Sequence, residues 1–299
     1  METPEKVLRR LEFKVVRRLD GFLFGDYTGM FYGPSLDLAE VREYQPGDEI
    51  RRIDWNVTAR MNRLFVRQYR EERELSAWLL VDLSPSMTFG TRRQLKRETA
   101  MEFAGVAAYI VSRHGDKVGL LGFPGRDVHV PPRGGRMHVL RILHALDQAA
   151  PRRMSEGDLA ESLHNGARTM RRRSLLFLIS DFLAKDGWEQ PLRELARRHD
   201  LIAVWIQDPA ERELPDVGGL FVRDPETGEQ LWVDTSEARV RQAYRDLVVR
   251  QRDRIQRIFR LSGVDVLELS TAEPLVGPLL NFIAYRKRRG RGSHMRGRP

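Results

Sequence analysis

A short apolar run that ends in a carboxylate constrains the fold of this chain more than any other feature. Residues Ala77–Val81 are apolar, Asp82 follows them, and Ser84 and Ser86 come next at a spacing of two. An apolar run of this length between turn-forming residues is typical of a strand buried on both faces of a parallel sheet. In open α/β sheets, ligands bind outside the carboxyl ends of such strands. The run therefore predicts an α/β domain with a binding edge at Asp82.

A second apolar run and an alternating pattern extend this prediction. Residues 174–180 are also strongly apolar, and Asp181 follows them. Further strands are predicted at 117–123, 128–130, 201–206 and 264–269, with a hairpin at 219–222 and 231–233; helices are predicted at 92–113, 135–148, 158–172, 188–198, 236–260 and 275–285. Strands that alternate with helices predict a doubly wound, mostly parallel sheet flanked by helices.

The ends of the two strongest strands offer a set of oxygen ligands. If these strands are neighbours, the carboxylates of Asp82 and Asp181 meet the hydroxyls of Ser84 and Ser86 at one edge of the sheet. Such oxygens suit hard cations, here Mg²⁺ or Mn²⁺. A second interpretation needs no metal, because Asp and Ser also cap helices and close turns through backbone N–H groups.

A second motif precedes the apolar run. Residues 40–60 read Glu-Val-Arg-Glu-Tyr-Gln-Pro-Gly-Asp-Glu-Ile-Arg-Arg-Ile-Asp-Trp-Asn-Val-Thr-Ala-Arg, in which Pro-Gly-Asp predicts a turn. Ile50, Ile53 and Trp55 are expected to be packing residues. The candidate interaction residues of this segment are Arg42, Tyr44, Pro46, Gly47, Asp48, Arg52, Asp54, Trp55 and Arg60. In the alternative interpretation, they only attach a small β-rich module to the main sheet.

Both motifs resemble known families. The Asp-x-Ser-x-Ser pattern from Asp82 to Ser86 is similar to the metal-ion-dependent adhesion site of von Willebrand factor A (vWA) domains. The segment from Arg42 to Arg60, with Arg-x-Tyr-x-Pro-Gly-Asp followed by Arg-x-Ile-Asp-Trp and Ala-Arg, resembles the bacterial DUF58 family. Members of that family place a vWA-like domain after this segment, so the two matches support each other.

The resemblance implies a site and partners. It implies a divalent-metal site at Asp82, Ser84, Ser86 and Asp181, in a non-enzymatic interaction module that acts with a MoxR-type AAA+ ATPase on a client protein. Family members commonly show Gly-Thr-Asp-Leu on a loop of this site, but this chain has Gly157 at the Thr position. Water or Asp158 then replaces the missing hydroxyl, or the cation binds weakly.

Composition sets the remaining bounds. The chain has no cysteine, and it shows neither an apolar signal-peptide core nor an apolar run long enough to span a membrane, so a cytoplasmic location is expected. Residues 286–299 hold seven basic groups and no acid. Without them the formal charge falls from +9 to +2, so nucleic acid is not an expected partner of the main domain.

The predicted organisation has three parts. An N-terminal helix and a β-rich module occupy residues 1–74, the α/β domain occupies residues 75–285, and a basic disordered tail occupies residues 286–299.

Enzyme classes receive little support. The sequence has no Gly-x-x-x-x-Gly-Lys-Ser/Thr loop, no Gly-x-Ser-x-Gly elbow and no His-x-x-x-His pair, and no small-molecule substrate is expected. Ser84 stands where an aspartate nucleophile would need a second acid to protonate the leaving group. Two alternatives stay open: a metal-dependent phosphohydrolase or nuclease that uses Asp82, Asp158 and Asp181, and a metal-free scaffold that works through residues 42–60.

Overall fold

Ten strands and seven α-helices make up the described part of the computed structural model, which covers residues 40–68 except 47, 49, 51, 52 and 62, residues 76–154 except 126, and residues 158–295. The strands are β1 Glu40–Glu43, β2 Phe65–Gln68, β3 Ser76–Asp82, β4 Lys117–Phe123, β5 His129–Arg133, β6 Leu175–Ser180, β7 Asp200–Gln207, β8 Gly219–Arg223, β9 Gln230–Asp234 and β10 Asp265–Ser270. The helices are α1 Trp55–Met61, α2 Lys96–Arg113, α3 Arg136–Gln148, α4 Asp158–Thr169, α5 Glu189–Arg198, α6 Ala238–Ser262 and α7 Val276–Met295, with short 3₁₀ helices at Pro85–Thr88 and Pro209–Glu211. Among these helices, none has the length and apolar character to cross a membrane.

Six strands form the central sheet in the order β10-β7-β6-β3-β4-β5. Neighbours pair in parallel from β10 to β4, and β5 pairs antiparallel to β4 at the edge. The prediction of a doubly wound, mostly parallel sheet is therefore confirmed. From β3 the chain moves outward to β4 and β5, and it then returns to β6 on the other side of β3. The strand order thus reverses between β3 and β6.

Side chains that alternate along the strands build a core on each face of the sheet. Leu79 and Val81 of β3 pack with α2, α3 and α7, whereas Trp78 and Leu80 pack with α4, α5 and α6. Burial on both faces explains why this strand is apolar throughout. The helix that follows β3 and the helix that follows β6 lie on opposite faces, which opens a crevice at the carboxyl ends of these two strands.

A small module of the described chain precedes the central sheet. Its strands β1 and β2 pair antiparallel, and α1 lies between them in sequence. The helix predicted near the N-terminus and the module boundary at residue 74 lie outside the described residues.

The C-terminal helix corrects one expectation. Disorder was predicted from residue 286, but α7 continues to Met295. Arg286 is only 7% exposed, and its guanidinium lies 2.8 Å from a carboxylate oxygen of Asp200 and 3.1 Å from one of Asp265. These acids begin the neighbouring strands β7 and β10, so the first basic residue of the expected tail is a tertiary contact.

We expect Arg286→Ala to lower the free energy of unfolding by about 2 kcal/mol, because two partly buried carboxylates lose their shared cation. Arg289→Ala is the matched control: Arg289 also pairs with Asp265, but its side chain is 59% exposed. Its loss should cost less than about 1 kcal/mol. Urea unfolding of both variants measures the difference, and equal effects would contradict a buried role for Arg286.

Candidate functional site

The two strands that carry the candidate acids are neighbours. In the parallel β3–β6 pair, Val81 lies opposite Ile179, so Asp82 and Asp181 follow at the same edge of the sheet. This edge is also the point where the strand order reverses. The sequence prediction that these acids converge with the two serines depended on this adjacency, which the structure provides.

Asp82 is buried and held by two hydrogen bonds. The Ser180 hydroxyl donates to Oδ2 at 2.6 Å, and the backbone N–H of Ser84 donates to Oδ1 at 2.9 Å. Only 2% of Asp82 is exposed. Loss of hydration, followed by repulsion from Asp181, raises the pKa of Asp82 from 3.8 to about 7 despite these hydrogen bonds. Asp82 therefore lies in a place that favours a proton or another cation beside it.

Ser84 and Ser86 place two hydroxyls next to this carboxylate. Both residues are buried, and their Oγ atoms are 3.0 Å apart. Ser84 is the N-cap of the 3₁₀ helix Pro85–Thr88, yet its side chain makes no capping bond. The capping interpretation is therefore wrong for Ser84, whose hydroxyl contacts Ser86 instead.

Asp181 is paired with a lysine that the sequence did not single out. Lys96, at the start of α2, is fully buried, and its Nζ lies 2.6 Å from Asp181 Oδ2 and 2.5 Å from Glu211 Oε1. Burial alone lowers the pKa of a lysine, but the charges of Asp181 and Glu211 outweigh burial and raise the pKa of Lys96. The other oxygen of Asp181 accepts the N–H of Leu183 at 3.1 Å.

Among the described residues, Lys96 pairs with the carboxylates of Asp181 and Glu211 and not with that of Asp82. Within the part of the chain that the structure describes, no set of three or more His, Asp or Glu side chains converges as a metal cluster. A cation here would therefore depend on Asp82 and the two serine hydroxyls, with Asp181 shared between it and Lys96. This donor set is all oxygen and suits Mg²⁺ or Mn²⁺.

The loop expected to complete the site is only partly described. Gly157 lies outside the described residues, and Asp158 is the first residue of α4. The replacement of the missing hydroxyl by Asp158 therefore stays a prediction.

A further carboxylate reaches this edge from a distant hairpin. Glu226, in the turn between β8 and β9, accepts the backbone N–H of Ser86 at 2.9 Å and that of Met154 at 2.9 Å. The hairpin itself was predicted, but nothing in the sequence links its turn to a residue 140 positions earlier. Burial and contacts of this kind are decided only by the tertiary structure.

The candidate surface at residues 42–60 divides into structural and exposed members. Asp54 is 6% exposed and accepts the N–H of Val57, so it caps α1. Asp48 closes a turn by accepting the N–H of Gln45. Trp55 and Ile50 are 65% and 68% exposed, so the expectation that they pack is wrong.

The remaining members of that surface differ in their exposure to solvent. Tyr44 is half-buried and its backbone N–H donates to the Leu64 carbonyl at 2.8 Å, whereas Pro46 and Arg60 are exposed. Arg42 lies in β1 opposite Val66. Gly47 and Arg52 lie outside the described residues.

Comparison with known families decides the relationship. The model of the family described as "Protein of unknown function DUF58" matches residues 40–254. The chain belongs to the DUF58 family. The uncharacterized proteins Rv1480 of Mycobacterium tuberculosis and Mb1516 of Mycobacterium bovis are each 38% identical to it over 293 residues, which is 96% of this chain and 91% of theirs. The uncharacterized protein YeaD of Bacillus subtilis is 28% identical over 109 residues, or 36% of this chain and 25% of that protein. The resemblance of this chain to the DUF58 family is thus confirmed.

Solved structures show a more distant similarity. The conserved hypothetical protein BatB from Bacteroides thetaiotaomicron aligns with 72% of this DUF58 chain and 99% of its own, at 13% identity and a TM-score of 0.47. The SpRpn10 VWA domain aligns with 69% of this chain and 94% of its own, at 13% identity and a TM-score of 0.35. The fold class therefore rests on the strand order and the parallel pairing described above.

Proposed function

We propose that this DUF58 protein is a non-enzymatic interaction module that binds a partner at the carboxyl edge of its sheet, with Mg²⁺ or Mn²⁺ held there in the manner of vWA domains. The observation that carries the proposal is the buried group of Asp82, Ser84 and Ser86 at the point where the strand order reverses. A carboxylate this deeply buried needs a partner of opposite charge or a proton, and Lys96 contacts Asp181 and Glu211 rather than Asp82.

Each residue has a distinct part in the proposed site. The Ser84 and Ser86 hydroxyls and Asp82 would hold the cation, and Ser180 fixes the orientation of Asp82 through its 2.6 Å hydrogen bond. Lys96 limits the negative charge by pairing with Asp181 and Glu211. When bound, a divalent cation supplies a coordination position that an acidic side chain of a partner can fill.

We extend the proposal to the partners that the family resemblance implied, a MoxR-type AAA+ ATPase and a client protein. Support comes from membership of the DUF58 family and from the group of oxygen ligands at the carboxyl edge of the sheet. Exposed Trp55 and Arg60 add a second surface with residue types that are enriched at binding hot spots.

The enzymatic alternative receives less support from the geometry. A two-metal phosphohydrolase needs several carboxylates that converge on the metals. Asp181 is instead engaged by Lys96, and the position two residues after Asp82 is a serine. The metal-free scaffold is the outcome that remains if the cation does not bind.

Calorimetric titration of the chelator-treated protein with Mg²⁺ and Mn²⁺ tests the proposal. We expect one saturable site whose affinity falls at least about tenfold in Asp82→Ala, because the remaining ligands are mainly neutral hydroxyls. Thr88→Ala is the matched control, since its exposed hydroxyl lies on the same turn and donates to the Pro85 carbonyl. Absence of binding at millimolar metal would refute the metal site and favour the metal-free scaffold.

A further inference from the structure

The turn between β8 and β9 is built to present one carboxylate. The Asp224 carboxylate accepts the N–H of Glu226 at 2.8 Å and the hydroxyl of Thr227 at 3.0 Å. The N–H of Gly228 donates to the Asp224 carbonyl at 2.8 Å, and Gly228 takes a φ of 80° that favours glycine. These bonds order the turn from within, so Glu226 projects from it in a fixed direction.

Two separate loops receive this carboxylate. Oε1 of Glu226 accepts the N–H of Ser86, which follows β3, and Oε2 accepts the N–H of Met154, which follows α3. The N–H of Arg152 donates to the Leu83 carbonyl at 3.0 Å and holds the two loops together. The result is a cradle of two N–H groups, with both carboxylate oxygens satisfied at 2.9 Å. Bonds of this kind to a charged acceptor are stronger than bonds between neutral groups.

The cradle adjoins the candidate metal site. The backbone N–H of Ser86 donates to Glu226, and its hydroxyl contacts that of Ser84, whose N–H in turn donates to Asp82. Glu226 therefore lies at the edge where the proposed partner would place its own acidic side chain.

Little else of the hairpin is buried around this contact. Glu226 is half-buried, whereas most of its neighbours in the turn are exposed. Phe221 and Trp232 form a cross-strand pair that is 73% and 57% exposed. Because their apolar surface stays in contact with water, it does not hold the hairpin against the domain. The carboxylate contact therefore contributes correspondingly more to holding the hairpin in place.

We propose that the Ser86 and Met154 N–H pair is a carboxylate-binding site for an acidic side chain of a partner protein, and that Glu226 fills it as an internal ligand until that side chain displaces it. The inference rests on the proposed function in placing the partner at this edge. The carboxylate contact itself requires no metal. The partner is a protein with an exposed Glu or Asp, and the hairpin must release before it binds.

An internal ligand has a measurable consequence. Glu226 is present at a high effective concentration, so it competes with any carboxylate in solution and lowers the apparent affinity of the cradle. Removal of Glu226 should therefore expose a site that takes small carboxylates.

The experiment follows the backbone amide NMR signals of Ser86 and Met154 in the isotope-labelled, metal-free full chain during titration with acetate. In Glu226→Ala we expect both signals to shift saturably, with an apparent affinity at least about tenfold higher than in the unmodified protein. Acetamide, which has the same shape without the charge, should leave both signals in place. Glu229→Ala is the matched control, because it removes an exposed carboxylate from the same turn.

A second titration tests the partner chemistry. A short peptide with one central Glu should bind Glu226→Ala at least about tenfold more tightly than it binds the unmodified protein, and its Gln counterpart should not. If Glu226→Ala fails to fold, Glu226→Gln, which keeps the size and removes the charge, enters the same titrations. Equal responses in the variant and the unmodified protein, or no response of either amide in the folded variant, would overturn the inference. Because no metal is present, failure here is separate from failure of metal binding in the calorimetric titration.

Discussion

Asp82→Asn is expected to make the metal-free protein more stable near neutral pH, by about 3 kcal/mol. The pKa of Asp82 rises from 3.8 to about 7 on folding, first because burial removes its hydration and then because Asp181 repels its charge. One pKa unit corresponds to about 1.4 kcal/mol, so the carboxylate opposes folding once it is ionised. Asparagine keeps an oxygen for the Ser84 N–H and carries no charge.

The direction of the pH dependence follows from the same shift. Below about pH 4, Asp82 is protonated in both the folded and the unfolded chain, and it adds no pH dependence. Between about pH 4 and pH 7 the unfolded chain releases this proton while the folded protein keeps it, so stability falls as pH rises. The increase in the free energy of unfolding caused by Asp82→Asn should therefore be small at about pH 4 and reach its full size by about pH 7.

Urea unfolding across this pH range, in the presence of a chelator, measures the effect. Asp253→Asn on α6 is the control, because its carboxylate is exposed and its removal should change stability little. A loss of stability in Asp82→Asn at neutral pH would mean that the buried carboxylate is already neutralised by a cation within the protein. In the same variant, binding of Mg²⁺ or Mn²⁺ should be lost, so stability and the proposed function move in opposite directions.

Lys96→Met should destabilise the protein by about 3 kcal/mol or more. Methionine fills a similar volume, but it leaves the carboxylates of Asp181 and Glu211 without their shared ammonium. Removal of one partner from a buried ion pair typically costs more than the pair itself contributes, because an uncompensated charge stays behind. Asp181 is only 3% exposed, so water cannot replace the ammonium.

A control variant and a second-site variant distinguish this charge effect from a packing effect. Lys185→Met changes an exposed lysine on the loop after β6 and should alter stability by less than about 0.5 kcal/mol. Asp181→Asn combined with Lys96→Met should recover part of the lost stability, because the double variant removes one of the two uncompensated carboxylate charges. A loss below about 1 kcal/mol in Lys96→Met would contradict a structural role for the buried pair.

The fold followed from local pattern. The apolar runs before Asp82 and Asp181 became β3 and β6, and the antiparallel edge strand and the exposed hairpin also appear near their predicted positions. Such features depend on nearby residues, since buried strands and amphipathic helices carry their own periodicity. The convergence of Asp82 with Asp181 was predicted on one condition, that their strands are neighbours, and the pairing of β3 with β6 met it.

The environments of individual side chains could be predicted less well from the sequence than the fold could. A lysine at the start of a helix is ordinarily exposed, yet Lys96 is fully buried and pairs with Asp181, which follows β6, and with Glu211, which ends the 3₁₀ helix after β7. Trp55 shows the reverse, since this apolar residue, which was expected to pack, is 65% exposed. The expected disorder from residue 286 was wrong because composition records the charge of Arg286 but not the two strand-end acids that pair with it.

The sequence by itself determined the α/β class, the edge that carries Asp82, Ser84 and Ser86, and membership of the DUF58 family. These properties are encoded in contiguous segments, where spacing and residue type are visible. Only the tertiary structure decided that Lys96 pairs with Asp181, and that Glu226 reaches Ser86 across 140 positions of the chain. Long-range contacts of this kind arise when the sheet brings separate loops to one edge, and no local pattern records which loops will meet.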